Sequence, residues 1–138
     1  MASTRKSTDS PTMTGTYSEP MTTDKTGAET TVTRNDDLQR YEIEVIGSGL
    51  AGFTVYRERQ VDGGTQRVFV HTEVDEDFGG RGLATILVRE ALDDTRAQGE
   101  TIVGVCPLVA AFLRKNPDYA ADSAAVSPEI LSWLEGRA

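Results

Sequence analysis

Three glycines and an arginine form the run Gly79-Gly80-Arg81-Gly82, directly ahead of an amphipathic segment. The first backbone N–H groups of a helix lack internal partners and carry partial positive charge. Because glycine has no side chain in the way, a phosphate can approach such N–H groups closely. The run predicts either a cradle for a pyrophosphate or a tight turn with positive φ that binds no ligand.

The spacing of these glycines differs from that of two common nucleotide-binding motifs. The loop lacks the Gly-Lys-Ser/Thr ending of a P-loop and the Gly-x-Gly-x-x-Gly of a dinucleotide-binding fold. On spacing alone, the strand–glycine–helix junction therefore leaves both an anion site and a ligand-free tight turn open.

Three nearby side chains could transfer protons or attack a carbonyl. Glu73 could take the proton of an ammonium group, and His71, the single histidine, could act as a base near neutral pH. Cys106, the single cysteine, could be a nucleophile if the helix that follows it stabilises the thiolate. The alternatives are a solvated carboxylate, a structural strand histidine and a small buried thiol. The acidic run at 75–77 is interpreted as a solvated turn, or as an attraction for a cationic substrate.

Alternating polar and apolar residues predict the strands that precede the loop. Segments 39–46, 50–57 and 66–74 have this pattern and are separated by glycine-containing turns. Together they predict an antiparallel meander.

Apolar residues at helical spacing predict a helix over 82–98 that ends at Gly99. Its outward face is predicted to hold Arg89, Glu90, Asp93, Asp94 and Arg96. A short strand over 101–106 would then lie parallel to the strand before the loop, as a β–α–β unit. Further helices are predicted over 107–115 and 127–135, because each begins with Pro or Ser-Pro. The predicted fold class is mixed α/β (α+β), with a sheet of about four to five strands.

The first 36 residues have a different composition from the rest of the 138-residue chain. They are rich in Ser and Thr and have almost no periodic apolar residues, which is typical of a disordered segment. We expect a disordered tail over 1–36 and one folded domain over 37–138.

The charge of the chain restricts its partners. The net charge is −8; residues 1–36 hold 4 basic and 5 acidic residues, so the rest holds 10 and 17, a net −7. Direct nucleic-acid binding is not expected, because phosphate neutralisation needs a basic surface, whereas an amine substrate fits. The sequence has no membrane-spanning run and no metal-site pattern, and one cysteine excludes an internal disulfide. These features are typical of a cytoplasmic protein.

The order HTEV, GRGLA, an apolar helix, Cys-Pro and Asn-Pro resembles the small, minimal members of the GNAT superfamily of N-acetyltransferases. The resemblance covers roughly 40–120. It implies a GNAT-like fold, acetyl-CoA (CoA) as cofactor, and transfer of an acetyl group to a primary amine. A protein lysine, an N-terminus or a small amine are all open as acceptors.

The same resemblance implies roles for individual residues. Gly82 and Ala84 match the last two fixed positions of the superfamily's pyrophosphate loop, whose first position is Gly79 here instead of Gln or Arg. Val74 N–H would donate to the thioester carbonyl. The residues implied in cofactor binding are Val74, Gly79, Gly80, Arg81, Gly82, Leu83, Ala84, Cys106 and Asn116.

The catalytic residues implied are Cys106, Glu73 and Val74. Cys106 lies near the acetyl group, either as a nucleophile or as a neighbour of the thioester sulfur. Phe112 replaces the tyrosine that many relatives place near the leaving thiolate, so Tyr119 or water would have to supply that proton. Two other functions stay open at this point: a non-catalytic acyl-CoA-binding module and a protein-interaction domain with an empty loop.

Overall fold

The computed structural model of the chain describes residues 22–137. These residues form one mixed sheet with helices packed against it. The strands are β1 Thr22–Thr23, β2 Glu29–Asn35, β3 Arg40–Val45, β4 Gly49–Val61, β5 Gly64–Val74, β6 Thr101–Gly104 and β7 Ser123–Ala124. The helices are α1 Leu83–Ala97, α2 Pro107–Lys115 and α3 Pro128–Ser132, with 3₁₀ turns at Glu76–Phe78 and Pro117–Asp122 and a π-helical turn at Trp133–Arg137. Within this part of the chain, no helix is both long enough and apolar enough to cross a membrane.

The strands lie in the sheet in the order in which they occur along the chain. Neighbours from β1 to β5 are antiparallel, while β5, β6 and β7 are parallel to one another. The predicted meander and β–α–β crossover are thus confirmed. The predicted strand number is too low, since the sheet has seven strands within residues 22–137. The sequence did not predict β1, β2 and β7 because they show little apolar alternation.

The strand β2 lies inside the segment predicted to be disordered. It pairs with β3 from Thr30 to Asn35 and buries Thr30, Val32 and Arg34. Threonine favours strands because its branched side chain packs well on a pleated surface. The prediction of a disordered tail is therefore wrong for residues 22–36, and residues 1–21 lie outside the described part of the chain.

The helix α1 packs its apolar face on the sheet and forms the core. Leu83, Leu87, Leu92, Ile43 and Phe69 are almost completely buried there. Burial of a large aliphatic or aromatic side chain contributes about 1.5–3 kcal/mol, so this face fixes α1 against the strands.

Two acidic residues of α1 that were predicted to face outward are buried instead. Glu90 and Asp94 are both largely inaccessible. Asp94 Oδ2 accepts a hydrogen bond from Arg34 Nη1 at 2.7 Å and another from the Tyr41 hydroxyl. A buried carboxylate is tolerated only with such partners, and Arg34 comes from the strand that the sequence did not predict.

The parallel strands β5 and β6 separate after a short stretch of pairing. Their register ends at Phe69 and Gly104, and the Phe69 carbonyl then accepts the N–H groups of both Val105 and Cys106. The chain turns away into α2 while β5 continues to Val74. The end of β5 therefore has an open edge on the side that faces α2.

Candidate active site

The glycine loop joins β5 to α1 through backbone conformations that favour glycine. Gly80 has φ 76° and Gly82, the N-cap of α1, has φ 79°. The first helical hydrogen bond of α1 is the one that the Ile86 N–H donates to the Gly82 carbonyl. The N–H groups of the three residues before Ile86 have no such helical acceptor and carry the positive end of the helix.

A cavity of about 430 Å³ lies over this loop. It brings together most of the residues predicted to bind the cofactor. The lining residues are Val74, Asp75, Glu76, Phe78, Gly79, Gly80, Arg81, Gly82, Leu83, Ala84 and Thr85. These residues form a shaped surface between the end of β5 and the start of α1.

Arg81 is held by a residue that sequence reasoning missed. Its Nε donates to Oδ2 of Asp24 at 2.8 Å, and the Asp24 side chain is inaccessible to solvent. Oδ1 of Asp24 accepts hydrogen bonds from the Thr26 hydroxyl and from the N–H groups of Thr26 and Ala28. The hydrogen bond from the Thr26 side chain, those from the two backbone N–H groups and that from Arg81 lower the pKa of Asp24 to about 2. No sequence signal pointed to Asp24, because it lies in the segment predicted to be disordered.

The open edge of β5 presents main-chain N–H groups. Asp75 N–H donates to the Ala51 carbonyl on β4 at 2.8 Å. Because successive N–H groups point to opposite edges of a strand, those of Val74 and Thr72 point away from β4, to the edge that β6 has left. Gly52 stands opposite Val74, where a Cβ atom would lie 2.6 Å from the Glu73 carbonyl. Only glycine lets β4 pair this closely beside Val74.

Cys106 lies at the same opening. Its Sγ donates to Oγ1 of Thr72 at 3.2 Å, and the Thr72 hydroxyl is also 2.8 Å from that of Thr54. Cys106 is buried and is the N-cap of α2. The thiol is thus close to the strand positions that lead to Val74, and its hydrogen-bond acceptor is a neutral hydroxyl.

Glu73 and His71 lie together on the other face of β5. His71 Nε2 is 2.9 Å from Glu73 Oε2, and the two side chains are 56% and 60% exposed. The Val74 side chain, by contrast, packs against the core. Glu73 also lines a small cavity of about 130 Å³ with Asp75 and residues 50–53. The structure therefore separates Glu73 from the loop cavity by the thickness of one strand.

Asn116 belongs to a second cavity, of about 380 Å³, between α1 and α2. This cavity meets the loop cavity at Ala84 and Thr85, which line both. The Asn116 side chain donates to the Phe112 carbonyl at 2.8 Å and ends α2. A groove thus runs from the glycine loop to the end of α2.

Residues 40–123 match the model of a family described as GCN5-related N-acetyl-transferase. The chain belongs to the GCN5-related N-acetyltransferase family. The matched segment contains the glycine loop, the strands β5 and β6 that separate beside it, and Cys106. The match confirms the resemblance found in the sequence. The protein is therefore an acetyltransferase, a member of a family that transfers acyl groups.

A solved structure similar to this acetyltransferase is that of a ribosomal-protein-alanine N-acetyltransferase from Brucella melitensis biovar Abortus 2308. The two chains are 22% identical, and the similarity covers 66% of this chain and 67% of the other, with a TM-score of 0.45. No curated protein matches the chain.

Phe112 and Tyr119 stand side by side in this acetyltransferase. Their ring centroids are 5.3 Å apart in an edge-to-face arrangement. The Tyr119 hydroxyl donates to Oδ1 of Asp93 at 2.6 Å. Burial, together with the neighbouring Asp93 carboxylate, raises the pKa of Tyr119 to about 12. Its proton is already engaged by Asp93, which argues against Tyr119 as the substitute for the tyrosine that Phe112 replaces.

Proposed function

We propose that the protein transfers an acetyl group from acetyl-CoA to a primary amine by direct attack in a ternary complex. The observation that carries this proposal is the parting of β5 from β6 beside the glycine loop of α1. That parting opens a main-chain edge at Val74 next to a helix N-terminus, so a thioester and a diphosphate can be held by one continuous surface.

The residues of the loop fit a coenzyme A group. Gly80 and Gly82 take the positive φ that turns the chain into α1, and nothing lies within 4 Å of a Cβ atom placed at Gly80. Residues Gly79 to Ala84 would hold the diphosphate by main-chain N–H groups. Two acidic residues, Asp75 and Glu76, also line the cavity, and Asp75 is engaged as the cap of the 3₁₀ turn. When bound, the cofactor supplies the activated acetyl group.

Val74 contributes through its backbone. An N–H group that points into the opening beside a buried strand can stabilise negative charge that develops on a carbonyl oxygen. It costs no reorganisation, because pairing with β4 on the other edge of the strand holds it in place. Val74 is thus proposed as the donor to the thioester carbonyl.

Glu73 is proposed as the base that accepts the amine proton, directly or through water. His71 Nε2 lies within hydrogen-bonding distance of the Glu73 carboxylate. Since Glu73 lies on the face of β5 opposite the Val74 side chain, the amine would approach from that face. Protons could leave to solvent through His71, which is exposed.

Cys106 is proposed as a neighbour of the thioester sulfur that does not carry the acetyl group. Its thiol is buried and donates a hydrogen bond to the Thr72 hydroxyl. This uncharged acceptor orients the sulfur at the opening between β5 and β6. A thiol proton in this place can donate to the leaving sulfur, a role that Phe112 cannot perform. Asn116 is proposed to contact the adenosine part of the cofactor from the groove between α1 and α2.

The acceptor is proposed to be a cationic amine, because the domain is acidic and Glu73 and Asp75 line the same small cavity. Cys106 is free, which suits the reducing cytoplasm where we place the reaction.

Two measurements test the proposed function. A specific ligand raises the melting temperature, so acetyl-CoA and CoA are expected to stabilise the protein while ATP and NAD do not. Acetyl transfer is then measured against protein lysines, peptide N-termini and polyamines. Stabilisation without transfer to any amine would support the non-catalytic alternative; no stabilisation by either coenzyme A species would contradict the proposal.

A further inference from the structure

Another cavity, of about 430 Å³, adjoins the glycine loop on the side of the N-terminal strands, and we name it the strap-side cavity. Its lining residues are Thr23, Asp24, Lys25, Arg81, Gly82, Thr85, Ile86 and Arg89. Arg81, Gly82 and Thr85 line both this cavity and the loop cavity. The two cavities therefore adjoin at the first turn of α1.

The strap-side cavity has a basic lining, although the domain as a whole is acidic. Three cationic side chains, Lys25, Arg81 and Arg89, face one carboxylate, that of Asp24. That carboxylate is already engaged by Arg81 and the backbone of residues 26–28. Lys25 and Arg89 are exposed, and within residues 22–137 neither lies within ion-pair distance of an acidic group. Two cations are thus available to a ligand beside the positive end of α1.

Residues 22–28, which we name the N-terminal strap, are built against the glycine loop. Lys25 N–H donates to the Arg81 carbonyl at 3.0 Å. The aliphatic stem of Lys25 covers Gly82 so closely that a Cβ atom there would lie 3.2 Å from Lys25 Cε. The strap lies outside residues 40–123, which match the family model. Lys25 is therefore held at the loop by a segment that lies outside the residues matched by the family model.

We propose that Lys25 and Arg89 form a subsite for a phosphate monoester, the 3′-phosphate on the ribose of coenzyme A. This inference rests on the proposed function, since it concerns the same cofactor. The N–H groups of the loop suit the diphosphate, and the ribose phosphate lies a short distance further along the molecule. A monoester dianion is matched by two separate cations, with Arg81 held between the two cavities by Asp24.

The subsite predicts that the enzyme discriminates coenzyme A from dephospho-CoA, which lacks only the 3′-phosphate. Dissociation constants for both ligands are measured by calorimetry on the full chain. The variants are Lys25→Ala, Arg89→Ala and the double variant, with Arg57→Ala on the exposed surface of β4 as the matched control. Melting temperatures confirm that each variant folds.

The wild type and R57A are expected to bind coenzyme A at least about tenfold more tightly than dephospho-CoA, as expected for charge-assisted contacts to a phosphate. K25A and R89A should each reduce that ratio, and the double variant should bring it close to one with the affinity for dephospho-CoA retained. Equal affinity of the wild type for both ligands would overturn the subsite and leave the proposed function intact. Equal loss of both ligands in K25A would also overturn it. Failure of the wild type to bind either ligand would overturn the proposed function itself.

Discussion

Asp24 and Arg81 are joined by an ion pair of 2.8 Å that fastens the glycine loop to the N-terminal strap. The pair links residues 57 positions apart in the sequence. Arg81 is among the residues that the resemblance implied in cofactor binding, and its guanidinium is oriented by Asp24. The geometry of the loop therefore depends on a segment outside the matched family domain.

Asp24→Asn is expected to weaken cofactor binding without unfolding the protein. The amide keeps the shape of the carboxylate but loses its charge, and one of its donors would face Arg81 Nε. Since a hydrogen bond between charged groups is worth about 1.5–3 kcal/mol, KM for acetyl-CoA should rise about tenfold or more while kcat changes less. Steady-state kinetics would measure this. Asp62→Asn, in the exposed turn between β4 and β5, is the control, and equal KM values for D24N and D62N would contradict the role of the pair.

Glu73→Gln tests the proposed base. The substitution removes the proton acceptor and retains a polar group beside His71. We expect kcat to fall about a hundredfold, within the range of general base catalysis, with the affinity for coenzyme A unchanged. Glu44→Gln, an exposed residue of β3, should have wild-type activity. Turnover of E73Q within twofold of the wild type would identify Glu73 as a solvated carboxylate.

Cys106→Ala tests whether sulfur carries the acetyl group. If the thiol only donates to the leaving sulfur, kcat should fall by about tenfold to a hundredfold, and Cys106→Ser should recover part of it. Intact-protein mass spectrometry after incubation with acetyl-CoA should then find no acetylated enzyme. An acetyl adduct on the wild type, with activity abolished in both variants, would show a covalent route instead.

The stability of the protein should decrease between about pH 5 and pH 8 through Glu100. Burial, together with the hydrogen bond that a protonated Glu100 carboxyl donates to the Glu58 carboxylate, raises the pKa of Glu100 to about 7, from an ordinary value of 4.5. Because the folded state holds this proton more tightly, the stabilisation is complete below about pH 4.5 and is lost as the pH rises through 7.

Glu100→Gln mimics the protonated form at every pH. Relative to the wild type, its free energy of unfolding should rise by about 2 kcal/mol from pH 5 to pH 8, measured by urea denaturation at each pH. Glu29→Gln, at the exposed start of β2, should show no such change. A pH-independent difference between E100Q and the wild type would contradict a raised pKa at Glu100.

Local signals in the sequence were sufficient to predict the helices that surround the site. The predicted helix over 107–115 has the bounds of α2, because Pro107 fits only the first turn and Pro117 prevents continuation. The last helix starts at Pro128 with Ser127 as its cap, but its regular part ends at Ser132, earlier than predicted.

The missed features depend on contacts between distant residues. The strand β2 has a single aliphatic residue, Val32, and its stability comes from pairing with β3 and from Arg34 reaching Asp94 on α1. The same contact explains why Asp94 is buried although its sequence position favours solvent. Asp24 could not be predicted for the same reason, because its ion-pair partner Arg81 lies 57 positions further along the chain. A threonine-rich run with β-branched residues was the one local signal for β2.

An NMR titration of the ¹⁵N-labelled protein with coenzyme A tests directly whether the glycine loop holds the cofactor. If it does, amide signals of Val74 and of residues 80–85 should move and saturate together, while the amide of Gly99, at the far end of α1, stays in place. If these loop amides are unmoved at millimolar coenzyme A, the glycine loop does not hold the cofactor and the proposed mechanism is contradicted.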